Sequence, residues 1–190
     1  MEVKDGLGGM NCFALVSYLS GPLADFLDQI RHDFAPDSLA RAHVTLLPPR
    51  PLPSGPDPAV IESAWNQMKD GLLDFQPFRV DLGEVEVFRE NRVIYLSIRA
   101  GSEQLHEMHD ALNTGLLEYQ EPFPYHPHVT IVQELLPEDV PPAAEFSSWR
   151  WNEFDLSRSF TVDRLTFVQN TLAKRWTDLA ALDLTSQVAR

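Results

Sequence analysis

The sequence is poor in cysteine and has no long apolar run, and each shortage excludes a class of protein. Its single cysteine, Cys12, rules out an intramolecular disulfide framework and any metal site built from several cysteines. No apolar run reaches the roughly 20 residues of a membrane-spanning helix. The opening residues, MEVKDGLGGMN, lack the apolar segment and small-residue cleavage site of a signal peptide. We therefore expect no membrane association and a cytoplasmic location.

Positive charge is also scarce. The chain has 15 Lys and Arg against 28 Asp and Glu, which gives a formal net charge of −13. Proteins bind long nucleic acids by neutralising many phosphates with clustered Lys and Arg. A long nucleic acid is therefore not expected as a partner. A small anionic ligand is compatible with this charge, because a few local donors outweigh the screened field of the whole chain at short range.

Hydrophobic periodicity predicts a mixed order of strands and helices. The predicted strands cover residues 12–19, 42–47, 77–82, 84–88, 93–99, 128–133, 150–155, 159–168 and 174–184. Helices are predicted at 22–34, 58–74 and 102–118, with Ser54 or Asp57 capping the second, while LPEDVPPAAEF holds a short helix at most. The mixed order favours an α+β fold with mostly antiparallel sheet. No low-complexity tract or linker interrupts the 190 residues, which suit one compact domain or two small lobes around a shared core.

The most informative feature is a repeat. The segments ARAHVTLLPP and PYHPHVTIVQ both contain His-Val-Thr followed by an aliphatic residue. On a strand, residues i and i+2 point to the same face, so His43 and Thr45 project together, as do His128 and Thr130. A proline-bearing loop and a helical candidate follow each motif, as expected of two related lobes. A pseudo-two-fold axis would place the two His-Thr pairs facing each other across a groove.

Two histidines and two hydroxyls in this arrangement suit phosphodiester chemistry. Histidine donates or accepts a proton near neutral pH, so one ring can activate the nucleophile while the other protonates the leaving oxygen. Threonine hydroxyls can hold the non-bridging phosphate oxygens, and this scheme needs no metal or other cofactor. A lone H-x-T on a strand is usually structural, because threonine is a good strand former. A second copy with the same valine and a matching aliphatic residue is far rarer by chance.

HVTL at His43–Leu46 and HVTI at His128–Ile131 resemble the paired H-x-T motifs of the two-histidine (2H) phosphoesterase superfamily, in particular its 2′-5′ RNA ligase-like branch. FALVSYL, PYHPHVT and FTVDRLTFVQN extend the resemblance over most of the chain. It implies one bilobal α+β domain over residues 1–190, in which each pseudo-symmetric lobe contributes one motif strand to a central cleft. It also implies His43 and His128 as the acid/base pair and Thr45 and Thr130 as phosphate-holding residues, with either histidine as the acid.

Four further residues are predicted to contact substrate. Arg41 lies two residues before His43 and is favoured over Arg50 as a supplementary phosphate ligand. Tyr125 either stacks on a base or packs its own loop, and Tyr18 is a candidate for lining the groove. His126, two residues before His128, is interpreted as a structural residue or a residue of the substrate rim, because no further ligand completes a metal site with it.

The remaining candidate residues have weaker functional interpretations. Phe123 either stacks on a base or packs its loop, and Phe167 is expected in the core. His106 and His109 are interpreted as exposed helical residues, and the pair 174–175 (Lys-Arg) as solvated charge.

The sequence thus predicts a monomeric phosphodiesterase acting on 2′,3′-cyclic phosphates or related small cyclic or 2′-5′ phosphodiesters of nucleotides or RNA ends. The reverse reaction, which joins a cyclic phosphate to a 5′-hydroxyl, is the ligase activity that the family resemblance implies. The alternative is a module that binds or senses a nucleotide in the same cleft without turning it over. Intact His and Thr in both motifs weigh against that alternative.

Overall fold

A computed structural model describes residues 11–53, 55–170 and 176–184. The strands are β1 (Cys12–Tyr18), β2 (His43–Arg50), β3 (Phe78–Phe88), β4 (Val93–Ala100), β5 (His128–Val132), β6 (Ser159–Val162), β7 (Arg164–Asn170) and β8 (Trp176–Asp183). The helices are α1 (Gly21–Phe34), α2 (Pro58–Gly71), α3 (Ser102–Leu112) and α4 (Val140–Glu153), with a short 3-10 helix at Gly115–Leu117. The predicted α+β fold is confirmed. No helix in these ranges is long and apolar enough to cross a bilayer.

The described strands form one antiparallel sheet in the order β6-β3-β4-β5-β2-β1-β7-β8. The motif strands β2 and β5 lie side by side at its centre, and three strands extend the sheet on either side. Only Asp163 separates β6 from β7, yet these two strands belong to opposite halves of the sheet. One linking residue spans only a few ångströms, so the sheet must curl until β6 approaches β7. This gives the predicted bilobal arrangement around a central cleft.

The two halves share their packing. Helix α1 connects β1 to β2 but packs against β5, and α3 connects β4 to β5 but packs against β2. The predicted apolar face of α1 is buried at Leu23, Leu27 and Ile30. Because each connecting helix covers the motif strand of the other half, both motif strands are backed by a common core.

Helix α4 is the largest departure from the predicted elements. We expected a short helix at most and then a strand at 150–155, but α4 is a helix of 14 residues that covers most of this range. Pro141 and Pro142 stand in its first turn, where a missing N–H and a fixed φ suit a helix. The prolines therefore begin the helix rather than prevent it. Trp151, near its end, is buried and donates from Nε1 to the carbonyl of Gly83 at 2.8 Å.

The predicted strands 77–82 and 84–88 are one strand, β3, with an irregular register around Gly83. A Cβ at this position would lie 2.6 Å from Oγ of Ser97 on β4. A side chain here would displace the Ser97 hydroxyl, which bonds the N–H and the carbonyl of Glu84, so glycine suits this position. The break read from the sequence is therefore a bulge within one strand.

Three other boundaries also differ. The predicted strand 159–168 is divided between β6 and β7, and the predicted helix 102–118 ends at Leu112 before the 3-10 turn. The strand predicted at 42–47 continues through two prolines to Arg50.

The start of α2 shows which predicted cap is used. The carboxylate of Asp57 accepts a hydrogen bond from the N–H of Ala59 at 2.8 Å, so Asp57 is the cap. The other candidate, at position 54, lies outside the described residues, as do positions 174–175 of the last predicted strand.

Candidate active site

The two motif strands bury and expose the same positions. His43, Thr45, His128 and Thr130 are each partly exposed. The alternating residues Val44, Leu46, Val129 and Ile131 are fully buried. This is the pattern of a strand with a polar face toward a cleft and an apolar face toward the core. The predicted alternation is therefore confirmed at both motifs.

The central residues of the two motifs pair with each other. Val44 of β2 lies opposite Val129 of β5 in the antiparallel register. Pairing of equivalent residues is what a two-fold axis between two antiparallel strands produces. Extending this register by one residue in each direction sets His43 across from Thr130 and Thr45 across from His128, on one face of the sheet. The structure thus brings the four motif side chains into one site.

Both motif histidines are held in the same way. Nδ1 of His43 lies 2.7 Å from the carbonyl oxygen of Arg41, and Nδ1 of His128 lies 2.7 Å from the carbonyl oxygen of His126. Because a carbonyl only accepts, each Nδ1 carries the proton in the neutral ring and each Nε2 keeps its lone pair. Within the described ranges, neither Nε2 has a hydrogen-bond partner. Both rings thus present Nε2 for proton transfer.

Burial lowers the pKa of both histidines below the ordinary histidine value. The positive charges of Arg31 and Arg41 lower the pKa of His43 further, although the bond to the Arg41 carbonyl opposes them. The pKa of His128 is lowered in the same sense by His126 and by His43. Both rings are therefore neutral at neutral pH before a ligand binds.

The backbone carbonyl of each motif threonine is anchored by a group from the other half. Thr130 accepts a hydrogen bond from Nη2 of Arg31, on α1, at 2.8 Å, and the next carbonyl accepts from Nε at 3.0 Å. Thr45 accepts from the hydroxyl of Tyr125, in the segment that leads into β5, at 2.8 Å. These two contacts, which we call the Arg31 clamp and the Tyr125 clamp, fix where the threonine hydroxyls stand.

Arg31 was not identified from the sequence. Its side chain is buried, with only 5% of the residue exposed, and it also binds the carbonyl of Ala40 and the carboxylate of Asp28. The available signal was its spacing, since it lies four residues after Leu27 on the apolar face of α1. A charged residue at a position predicted to be buried requires internal partners.

Tyr18, Arg41 and Asp178 form a polar cluster beside His43. Tyr18 lies opposite His43 in the β1–β2 register, and their rings make an edge contact at 6.1 Å. The carboxylate of Asp178, on β8, accepts from the Tyr18 hydroxyl at 2.9 Å and from Nη2 of Arg41 at 2.6 Å. The guanidinium carbon of Arg41 lies 3.5 Å from the centre of the Tyr18 ring. The structure thus places both predicted residues at the cleft and adds Asp178, which no sequence pattern indicated.

The surroundings of His128 are aromatic. Its ring meets Phe88 at 5.1 Å and Tyr95 at 5.2 Å, both edge-on. His126 is exposed and contacts the same two rings at 5.2 and 5.7 Å. Burial, together with the hydrogen bond to Glu86, raises the pKa of Tyr95 to about 12, so its hydroxyl stays protonated. His126 therefore lies at the cleft as predicted. Phe88 and Tyr95 were not identified from the sequence, because their position beside His128 depends on the pairing of β4 with β5.

Tyr125 lies between the β2 motif and a buried polar network. Its ring stacks on His109 with centroids 4.1 Å apart and planes 7° apart. His109 binds Glu121 at 3.0 Å through Nε2, and Glu121 also pairs with Arg50. Burial raises the pKa of Tyr125, so its hydroxyl remains a donor to Thr45. Its hydroxyl and one ring face are thus engaged within the protein.

Two of the weaker predictions are wrong. Arg50 is only 1% exposed and is fully engaged in this network, so it is no phosphate ligand. His109 is 6% exposed rather than on the surface, whereas His106 is exposed as expected. Phe167 lies in the core, and Phe123 is 59% exposed, which excludes the packing role considered for it.

The described residues around the cleft do not form a metal-binding cluster. In the part of the chain that the structure describes, no three His, Cys, Asp or Glu side chains are grouped so that they could hold a metal ion. The rings of His126 and His128, the pair that suggested a metal site, are 6.3 Å apart. Their contacts are to aromatic rings and to the backbone.

A curled antiparallel sheet whose two central strands each direct a histidine and a threonine into one cleft defines a protein of the two-histidine phosphoesterase class. The family model of the 2′-5′ RNA ligase superfamily matches residues 19–173. The chain therefore belongs to this superfamily, as the paired motifs predicted. The comparison with curated protein sequences gave no significant match.

Solved structures show the same fold at low sequence identity. LigT from E. coli in its apo form is similar with a TM-score of 0.63 and 16% identity, over 93% of this chain and 98% of that one. A protein described as a phosphoesterase has a TM-score of 0.63 and 18% identity, over 93% and 99% of the two chains. Usb1 from Kluyveromyces marxianus has a TM-score of 0.54 and 11% identity, over 90% and 97%.

Proposed function

We propose that this protein is a metal-independent phosphodiesterase that hydrolyses 2′,3′-cyclic phosphates or related small cyclic or 2′-5′ phosphodiesters of nucleotides or RNA ends. The observation that carries the proposal is the matched setting of His43 and His128. Each ring donates from Nδ1 to a carbonyl two residues earlier, and its Nε2 has no hydrogen-bond partner among the described residues. Two such nitrogens on one cleft provide the base and the acid that an in-line displacement at phosphorus requires.

The reaction divides between the two rings. One Nε2 takes a proton from water as the water oxygen attacks phosphorus. The opposite Nε2 gives a proton to the ribose oxygen as its bond to phosphorus breaks. The hydroxyls of Thr45 and Thr130 donate to the non-bridging oxygens, where negative charge grows in the transition state. When a 5′-hydroxyl takes the place of water as the nucleophile, the same displacement breaks the bond from phosphorus to the 3′ oxygen of the cyclic phosphate and forms a 2′-5′ link.

The histidine that acts as the acid must be protonated, although the ligand-free site favours the neutral ring. Burial holds the pKa of both rings below the ordinary value. A bound phosphodiester brings a negative charge next to Nε2, which raises the pKa of the ring that it contacts. Substrate binding thus helps to create the protonated acid while leaving the other ring as the neutral base.

The preference for a small substrate is supported by charge and by the relatives. The net charge of −13 opposes a long polyanion. The partly exposed ring of Phe88 and the exposed ring of His126, both beside His128, offer a surface for a single base. Crystal structures of E. coli LigT complexed with phosphate, 3′-AMP, ATP and NADP+ show that this similar fold accommodates small phosphorylated ligands. Both halves of the site come from one chain, so we propose that the whole chain acts as a single two-lobed monomer.

The proposal is tested by turnover of 2′,3′-cyclic nucleotides by the purified protein in excess EDTA. We expect hydrolysis, and a loss of about 10²- to 10⁴-fold in kcat/KM in each of His43→Ala and His128→Ala. His32→Ala, which removes an exposed histidine of α1, is the matched control and should retain activity. Circular dichroism of each variant checks that the fold is kept.

Three results would contradict the proposal. Full activity after loss of either histidine would exclude the two-ring mechanism. Loss of activity in EDTA would exclude its metal independence. Micromolar nucleotide binding without turnover of any cyclic or 2′-5′ substrate would favour the alternative, a nucleotide-sensing module.

A further inference from the structure

The polar cluster of Tyr18, Arg41 and Asp178 occupies one wall of the cleft. Both carboxylate oxygens of Asp178 are engaged, Oδ1 by the Tyr18 hydroxyl and Oδ2 by Arg41. Arg41 is held between this carboxylate and the face of the Tyr18 ring. Because Tyr18 lies opposite His43 in the strand register, the cluster stands directly beside one of the two reacting rings.

This ion pair is exposed to solvent. The side chains of Arg41 and Asp178 are 54% and 47% exposed, respectively. Exposed ion pairs contribute little to the stability of a fold. A guanidinium beside a phosphate-binding site is normally a bidentate phosphate ligand, yet here a carboxylate occupies it. The carboxylate of Asp178 therefore stands where a second phosphate of a substrate would otherwise pair with Arg41.

Among the described residues, the half that carries His128 shows no such arrangement. His126 occupies the position equivalent to Arg41, since each precedes its motif histidine by two residues and supplies the carbonyl for its Nδ1. His126 contacts the rings of Phe88 and Tyr95 rather than a carboxylate. The acid–arginine pair is thus a feature of the His43 side and not a requirement of the repeated motif.

We propose that Asp178 is a specificity-determining residue that occupies Arg41 and so disfavours ligands carrying a second phosphate group beside His43. The site then prefers nucleotides whose only phosphate is the one held between the two histidines. This inference rests on the proposed function for the reaction, but its test uses equilibrium binding and needs no turnover.

The test compares 3′-AMP with adenosine 3′,5′-bisphosphate by isothermal titration calorimetry. Asp178→Asn removes the competing charge and frees Arg41. We expect the affinity for the bisphosphate relative to 3′-AMP to rise about threefold to tenfold, the size of one screened charge interaction at several ångströms. The double variant Arg41→Met/Asp178→Asn should lose this gain, because the freed guanidinium is absent.

Asp183→Asn is the matched control. Asp183 lies on the same strand, pairs with Arg164 at 2.6 Å and is similarly exposed, so the variant makes the same change in net charge away from the cluster. We expect its affinity ratio to equal that of the wild type. A ratio that is unchanged in Asp178→Asn, or that rises equally in Asp183→Asn, would overturn the inference, as would a wild type that binds neither nucleotide.

Failure of the inference and failure of the proposed function give different results. If the wild type hydrolyses 2′,3′-cyclic nucleotides while Asp178→Asn leaves the affinity ratio unchanged, the inference fails and the phosphodiesterase stands. If the ratio rises but no cyclic or 2′-5′ substrate is turned over, Asp178 determines the specificity of a nucleotide-binding site.

Discussion

The two halves of the sheet present one motif in two different settings. The segments 41–47 and 126–132 have the same succession of exposed, intermediate and buried positions. Beside His43 this common element meets an arginine, a tyrosine hydroxyl and a carboxylate, whereas beside His128 it meets aromatic rings. The His-Thr motif, which both halves share, is what proton transfer at phosphorus requires. The neighbours of each histidine differ, and they face the remaining groups of the substrate. A symmetric reaction centre is thus combined with an asymmetric binding surface.

The threonines test whether the two halves contribute equally. Replacing Thr45 or Thr130 by Val removes a hydroxyl that we assign to the non-bridging oxygens. We expect each variant to lose about 10²- to 10³-fold in kcat/KM, the usual effect of removing one such donor. Steady-state kinetics on a 2′,3′-cyclic nucleotide measures this, with urea denaturation as a check on folding. Equal losses would support equivalent halves, and wild-type rates in both variants would contradict the assigned role.

The clamps on the threonine carbonyls differ in chemistry, and the Arg31 clamp should matter more for stability. Arg31→Met leaves the carbonyls of Ala40, Thr130 and Ile131 without the guanidinium. Leaving these at least partly buried carbonyls without their charged donor costs about 1–3 kcal/mol each, so we expect the free energy of unfolding to fall by about 3 kcal/mol or more. Urea denaturation measures this cost. Arg164→Met, which breaks an exposed ion pair, is the control and should cost less than about 1 kcal/mol. Similar losses in both variants would show that the clamp does not hold the two halves together.

The Tyr125 clamp should have a smaller and more local effect. Tyr125→Phe keeps the ring on His109 but removes one hydrogen bond, which is worth about 1 kcal/mol. Since the lost bond holds Thr45, whose hydroxyl we assign to oxygens that gain charge in the transition state, we also expect kcat to fall several-fold with little change in KM. Tyr119→Phe is the control, because the Tyr119 hydroxyl has no hydrogen bond to another described residue. A change in unfolding free energy without any change in kcat would make Tyr125 merely structural.

These residues show what could be predicted from the sequence. The four motif side chains were predictable because strand alternation alone decides their common face, and a repeated motif implies two related strands. Pairing of β2 with β5 through Val44 and Val129 was not predictable, because register depends on contacts between distant segments. The same limit hid Asp178, which is 137 residues from Arg41 along the chain. Prolines misled the prediction at α4, since their effect on a helix depends on which turn they occupy.

The contributions of His43 and His109 to the free energy of unfolding should change with pH in opposite directions. This is the smallest effect that we predict. Burial lowers the folded-state pKa of His43 below the unfolded value of about 6.5. Its contribution to stability is therefore present above that value and is lost as the pH falls. Burial alone would lower the pKa of His109, but its bonds to Glu121 and Asp110 raise it. The contribution of His109 is therefore present at low pH and is lost as the pH rises through its folded-state pKa.

Urea midpoints at pH 5 and pH 8 separate the two cases. Relative to the wild type, His43→Gln should become more stable as the pH falls from 8 to 5, because it lacks the group whose protonation opposes folding. His109→Gln should be most destabilised at pH 5, where the wild type gains from the charged ring between Glu121 and Asp110. Any loss of packing is the same at both pH values and cancels in the difference. His32→Gln corrects for the substitution itself, and a common sign for both variants would refute the opposite electrostatic settings of the two histidines.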